Sequence, residues 1–114
     1  NINYLDTIYK NKSELNNKII NKSINQAIKN KNNARICIYN LENKFINKSS
    51  IELVNNLPEF KLINIEDIRD VKEDDYIIVF AESGKINLSR LSTINKYFKI
   101  YSDKIIGWFF IDEL

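Results

Sequence analysis

Two rhythms of apolar residues alternate along the chain. Leu5, Ile8, Leu15, Ile19, Ile20, Ile24, Ala27 and Ile28 recur at steps of three and four, with Asn and Lys between them. That spacing predicts a long amphipathic helix over residues 3–31, whose first part (residues 1–12) has less apolar support. The run Lys29-Asn30-Lys31-Asn32-Asn33 ends it. The rhythm then changes. Residues 35–41 (RICIYNL) are apolar at Ile36, Cys37, Ile38 and Tyr39 without alternation. An unbroken run of this kind suits a strand covered on both faces, as in a parallel sheet.

The same alternation continues to the end of the chain. Ile51, Leu53, Val54 and Leu57 predict a helix over 49–57, stopped by Pro58. Residues 61–65 (KLINI) predict a second strand, and residues 66–75 an acidic connection. Residues 76–81 (YIIVFA) predict a third strand, and Gly84 a turn. Leu88, Leu91, Ile94, Phe98 and Tyr101 predict a helix over 87–101, followed by a last strand over 105–111 (IIGWFFI). Apolar strands alternating with amphipathic helices predict an α/β fold, a three-layer sandwich around a parallel sheet. The expected sheet has four strands in the order 2-1-3-4, with the long N-terminal helix packed on one face. Residues 1–33 form the helical segment of this reading, and residues 34–114 a Rossmann-like domain.

Composition narrows the chemistry. The 114 residues suit one domain, and 44% hydrophobic with 28% charged residues is an ordinary globular balance. With no histidine and one cysteine, His-based triads are excluded and a structural zinc site has no ligand set. Cys37, inside an apolar run, reads as a small core residue and fits a reducing compartment. Residues 1–48 carry nine Lys/Arg against three Asp/Glu, and residues 49–114 carry eight against twelve. The Lys residues are diluted by Asn and form no basic block, so nucleic acid is not an expected partner. No stretch approaches the roughly 20 apolar residues of a membrane helix. The chain opens on Asn1 and closes just after an apolar strand, which suggests the C-terminal domain of something longer.

The candidate chemistry lies after the first strand. Strand, loop, Asn47-Lys48-Ser49-Ser50 and helix is the layout of a phosphate site, in which backbone N–H groups and a helix N-terminus hold the anion. A working loop needs two glycines before its Lys-Ser, and Glu42 and Asn47 stand at those positions. Ser49 and Glu52 also fit a capping box, which accounts for Ser49 without a ligand. The acidic connection (Glu66, Asp67, Asp70, Glu73, Asp74, Asp75) has no cation-binding spacing and reads as a solvated loop. Gly84-Lys85 reads as a turn before a helix, and Trp108, Phe109 and Phe110 as core.

Taken in order, NKSSIELVNNL, KLINIEDIRD, YIIVFAESGKINLSRL and KIIGWFFI resemble the bacterial tyrosine kinases of capsular polysaccharide synthesis and their relatives among the deviant P-loop ATPases. The resemblance covers residues 34–114. It implies Lys48 at the phosphates, Ser49 at Mg²⁺, and Asp67, in a segment with Arg69, assisting the metal or the attacking group. The departures bear on all three roles. The loop glycines are replaced, no room remains between Arg69 and Tyr76 for a Walker B strand, and the family's tyrosine-rich tail does not follow Leu114. The expectation is therefore a non-catalytic relative with vestigial phosphate-site residues Asn47, Lys48, Ser49 and Ser50 and a vestigial acidic segment, Asp67 and Arg69. Neither cofactor nor metal is expected. It would act through a protein partner or self-association, as the cytoplasmic part of a membrane-anchored regulator of polysaccharide chain length or export. A nucleotide-binding enzyme using Mg-ATP and an unrelated Rossmann-like binding module are the alternatives.

Overall fold

In a computed structural model of the chain, residues 2–28, 34–42, 60–82 and 86–112 are described. The strands are β1 (Tyr4–Tyr9), β2 (Ala34–Asn40), β3 (Phe60–Ile65), β4 (Tyr76–Glu82) and β5 (Ile105–Asp112). Two helices are present among the described residues, α1 (Ser13–Ala27) and α2 (Leu88–Tyr101), with a 3₁₀ turn at Ile68–Asp70. All neighbouring strands are parallel, in the order β1-β5-β4-β2-β3.

The α/β class with a parallel sheet follows from the apolar runs. β2 and β4 are buried on both faces, as their sequences require. Ile36 and Ile38 of β2, with Ile78 and Phe80 of β4, meet Ile20 and Ile24 of α1 on one side. Cys37 and Tyr39, with Ile77, Val79 and Ala81, meet Ile94 of α2 on the other. The period-two alternation of a strand divides each apolar run between two cores.

Two expectations are corrected. The N-terminal helix does not span 3–31: residues 4–9 form an edge strand, and α1 starts only at Ser13. The sheet accordingly has five strands, and the expected four-stranded arrangement does not describe it, because β1 pairs alongside β5. The reason is local. A register shift between Tyr4 and Asp6 leaves Leu5 and Ile8, three residues apart, packed in the same core as α1. That bulge imitates a helical step in the sequence, while Tyr, Thr and Ile in the same hexapeptide suit a pleated edge.

Gly107 sits where β5 is irregular, between its pairings with β4 and β1. A Cβ there would lie 2.5 Å from the Asn3 carbonyl oxygen and 2.6 Å from Leu5 Cγ. The bare backbone is what lets β1 close onto β5, with Trp108 N–H donating to Asn3 O at 2.8 Å. The predicted helix 49–57 and the turn at Gly84-Lys85 lie outside the described residues.

Candidate functional site

In an open parallel sheet, ligands gather at the carboxyl ends of the strands, where the chain departs in opposite directions from two neighbours. Here that seam lies between β2 and β4. The next strand after β2 is its outer neighbour β3, and the next after β4 is β5 on the opposite side. The seam is bordered by Asn40, Leu41 and Glu42 from β2, Glu82 from β4, and Ile86, Asn87 and Arg90 at the start of α2.

These groups are bonded to one another. Leu41 N–H donates to Phe80 O at 2.9 Å, continuing the β2–β4 ladder one step past β2. Asn87 N–H donates to Leu41 O at 2.6 Å, and Glu42 and Ile86 form an isolated antiparallel bridge. Asn40 is buried, and its Oδ1 accepts the Glu42 N–H at 2.9 Å, a local turn typical of Asn. Asn87 caps α2, its Oδ1 accepting Arg90 N–H at 3.1 Å. Glu82 is buried and paired with Lys10, the residue after β1.

Arg90 gathers the seam. Its Nε–H donates to Asn40 O at 2.6 Å, its Nη1 to Glu66 O at 3.2 Å, and its guanidinium lies 4.3 Å from the centroid of the Tyr39 ring. One side chain of α2 thus ties the ends of β2 and β3 and caps an aromatic face. Burial pushes the Tyr39 phenol above its ordinary range, against the opposing charge of Arg90. Nothing in the sequence distinguishes Arg90 from any other helix arginine. Its role depends on the fold bringing α2 to strands that lie 24 and 50 residues before it.

The residues named from sequence fare differently. Asn47, Lys48, Ser49 and Ser50 lie outside the described residues. Asp67 and Arg69 do come together. Asp67 Oδ1 accepts Arg69 N–H at 2.9 Å and caps the 3₁₀ turn, while Arg69 Nη2 reaches Asp67 Oδ2 at 2.7 Å. The Arg69 side-chain bonds hold the Asp67 carboxyl down to about 2. In this arrangement Asp67 is engaged as a cap and an ion-pair partner. Among the described residues, no group of three or more His, Cys, Asp or Glu side chains could hold a metal ion.

Asp75 corrects the view of the acidic connection as wholly solvated. It is buried, and its Oδ2 accepts Arg35 Nε–H at 2.9 Å, Lys72 N–H at 2.8 Å and the Cys37 thiol at 3.4 Å. The signal was positional: Ile36 pairs with Tyr76, so the preceding residues, Arg35 and Asp75, enter the sheet side by side. This cluster lies at the amino ends of the strands, opposite the seam. Burial, then the Asp75 carboxylate, pushes the Cys37 thiol up to about 11, so it is no nucleophile.

An apolar cavity of about 260 Å³ opens between α2 and the sheet, lined by Ile2, Leu41, Val79, Ala81, Leu91 and Trp108. Ile86 forms part of its wall, and Leu88, 78% exposed, follows two residues later. Tyr4 packs edge-on against Trp108 at 5.1 Å and is also exposed. No helix among the described residues is long and apolar enough to cross a membrane. Comparison with protein-family models, with curated proteins and with solved structures finds no match to the chain.

Proposed function

We propose that this chain is a non-catalytic, P-loop-kinase-like domain that acts through protein contacts, as the cytoplasmic part of a regulator of polysaccharide chain length or export. The parent system is suggested by the resemblance of residues 34–114 to the capsular polysaccharide kinases. The observation that carries the non-catalytic reading is the closure of the seam. The backbone groups of Leu41–Glu42 are joined to those of Ile86–Asn87, so the N–H of Asn87 is spent on Leu41 O. A nucleotide at such a seam needs free backbone donors and a tolerant approach. The border carries both signs: Glu42, Glu82 paired with Lys10, and Arg90, whose guanidinium donates to Asn40 O and Glu66 O. Phosphoryl transfer depends on positioning, and the Asn87 N–H is already committed to Leu41 O.

The protein-contact part of the reading is supported by the apolar cavity with its exposed wall residue Ile86, and by the exposed Leu88 and Tyr4. Such a patch suits a partner protein or a second copy of the domain. The competing reading keeps Lys48, Ser49 and Asp67 as a Mg-ATP site. Titration with Mg-ATP to millimolar levels separates the two. The expected result is an unchanged melting temperature and unchanged amide shifts at Glu42, Asn87 and Arg90. Saturable shifts at these amides would overturn the non-catalytic reading.

A further inference from the structure

Among the described residues β1 is an edge strand, whose outer side carries a row of backbone groups facing away from the sheet, and such an edge is a template for another strand. In a parallel pair, successive residues turn their backbone groups alternately to the two sides. Lys10 gives its N–H to Asp112 O on β5 at 3.0 Å. Tyr9 and Thr7, one and three residues earlier, therefore turn theirs to the open side. Both outward N–H groups are taken by side chains of the same chain. Thr7 N–H donates to Asp6 Oδ1 at 2.7 Å, and Tyr9 N–H donates to Asn16 Oδ1 at 2.9 Å. Asn16 also returns a bond, its Nδ2 donating to Tyr9 O at 2.6 Å. A carboxamide that both accepts from and donates to one residue reproduces what a neighbouring strand would offer. Asn16 is fully buried on α1, whereas Asp6 stands exposed on the strand. The hydroxyls of Tyr4 and Thr7 meet at 2.6 Å beside it.

We propose that Asp6 and Asn16 form an edge guard, which closes β1 against strand pairing with a second copy of the chain. The guard has two parts with different roles. Asn16 blocks the carboxyl end of β1 permanently, because it is locked in the core. Asp6 blocks the middle from the surface, and its charge adds repulsion against the Asp6 of an approaching copy. Contacts between copies are thereby diverted from the sheet edge to other surfaces.

Asp6 is exposed, so the guard can be tested there without disturbing the core. The chain, its Asp6→Thr variant and its Asp6→Asn variant are compared by sedimentation over a range of concentrations, with hydrogen exchange followed at the Thr7 amide. Asp6→Thr replaces the carboxylate oxygen at the Oδ1 position by a shorter hydroxyl and installs a strand-favouring residue, whereas Asp6→Asn keeps an acceptor oxygen in place. The expected result is that Asp6→Thr associates about tenfold more tightly than the parent chain, the gain of one or two backbone bonds. Its Thr7 amide becomes protected as concentration rises, while Asp6→Asn, which keeps the acceptor but not the charge, associates more weakly than Asp6→Thr and leaves the Thr7 amide exchanging as in the parent. The proposal is overturned if Asp6→Thr sediments like the parent at every concentration, or associates without protecting Thr7. It is overturned equally if the parent's own Thr7 amide gains protection with concentration, which would make β1 an interface already in use.

Discussion

Asp75 receives the Cys37 thiol and the Arg35 guanidinium on a single carboxylate oxygen, at 3.4 Å and 2.9 Å, across the join of β2 and β4. Burial works to raise this carboxyl, but the Lys72 N–H, the Cys37 thiol and the Arg35 charge outweigh it and hold it below the usual carboxylate range. A carboxyl whose folded value is depressed adds stability above its unfolded value, near 3.9, and loses it as pH falls through the folded one. Acid unfolding followed by circular dichroism should therefore show stability falling below about pH 4, with the fall reduced in Asp75→Asn. Asp75→Ala should cost about 3 kcal/mol in urea unfolding at neutral pH, since it leaves Arg35 and the Lys72 amide without their acceptor.

Cys37 gives a chemical readout of the same place. A thiol raised to about 11 and fully buried holds almost no thiolate near neutrality. A disulfide reagent such as dithionitrobenzoate should leave the folded chain unmodified at pH 7.5, and react at a rate set by global unfolding. Rapid labelling in the absence of denaturant would show that the strand is open.

Arg90→Ala should destabilise the fold by about 1–2 kcal/mol, because the carbonyl of the buried Asn40 and that of the exposed Glu66 lose a charged donor together with the Tyr39 ring contact. Arg90→Lys should recover little of this, since an ammonium cannot reproduce a planar fork over an aromatic face. Thermal melts of the two variants make the comparison. Equal stability of Arg90→Lys and the parent chain would reduce Arg90 to a point charge.

Gly107→Ala places a methyl against Asn3 O and the Leu5 side chain. The expected cost is about 1–3 kcal/mol, the range for overpacking. The loss should be local to the β1–β5 join: amide protection should fall at Trp108 while Ile77 and Ile78 on β4 keep theirs.

Leu88 is the most exposed of the large apolar side chains on the α2 side, so Leu88→Asp should leave the melting temperature within about 0.5 kcal/mol equivalent of the parent. If the exposed apolar side chains at the start of α2 form the contact surface, the same substitution should abolish whatever self-association sedimentation detects in the parent chain. Unaltered association in Leu88→Asp would move the contact surface elsewhere.

The parts of the fold legible in the sequence are those where one residue's neighbours decide its environment. The runs Ile36–Tyr39 and Ile77–Ala81 announce strands buried on both faces, and Leu88 to Tyr101 carries its helical stripe openly. Residues 4–9 misled because the bulge at Tyr4–Asp6 gives Leu5 and Ile8 a helical spacing. The parallel pairing of β1 with β5 involves partners about a hundred residues apart, which no local pattern encodes. At the candidate site, Asp67 and Arg69 were named through a resemblance, as a vestigial acidic segment, and their cap and ion pair were not read from the sequence. Arg90, Asn16 and Asp75 were not legible, since each takes its meaning from a segment that only the folded topology supplies. Lys48 and Ser49 stood out through a motif, and motifs are the one long-range signal a single sequence offers.

The place of β1 beside β5 has a kinetic consequence. β1 is synthesised about a hundred residues before β5, its sheet neighbour, so residues 4–9 wait for that partner until residues 105–112 emerge. Pairings of this separation are slow to form, and waiting strands are vulnerable to aggregation and proteolysis. A nascent chain stalled before Ile105 should leave Tyr4–Tyr9 open to protease, and release of the final segment should close that cleavage site.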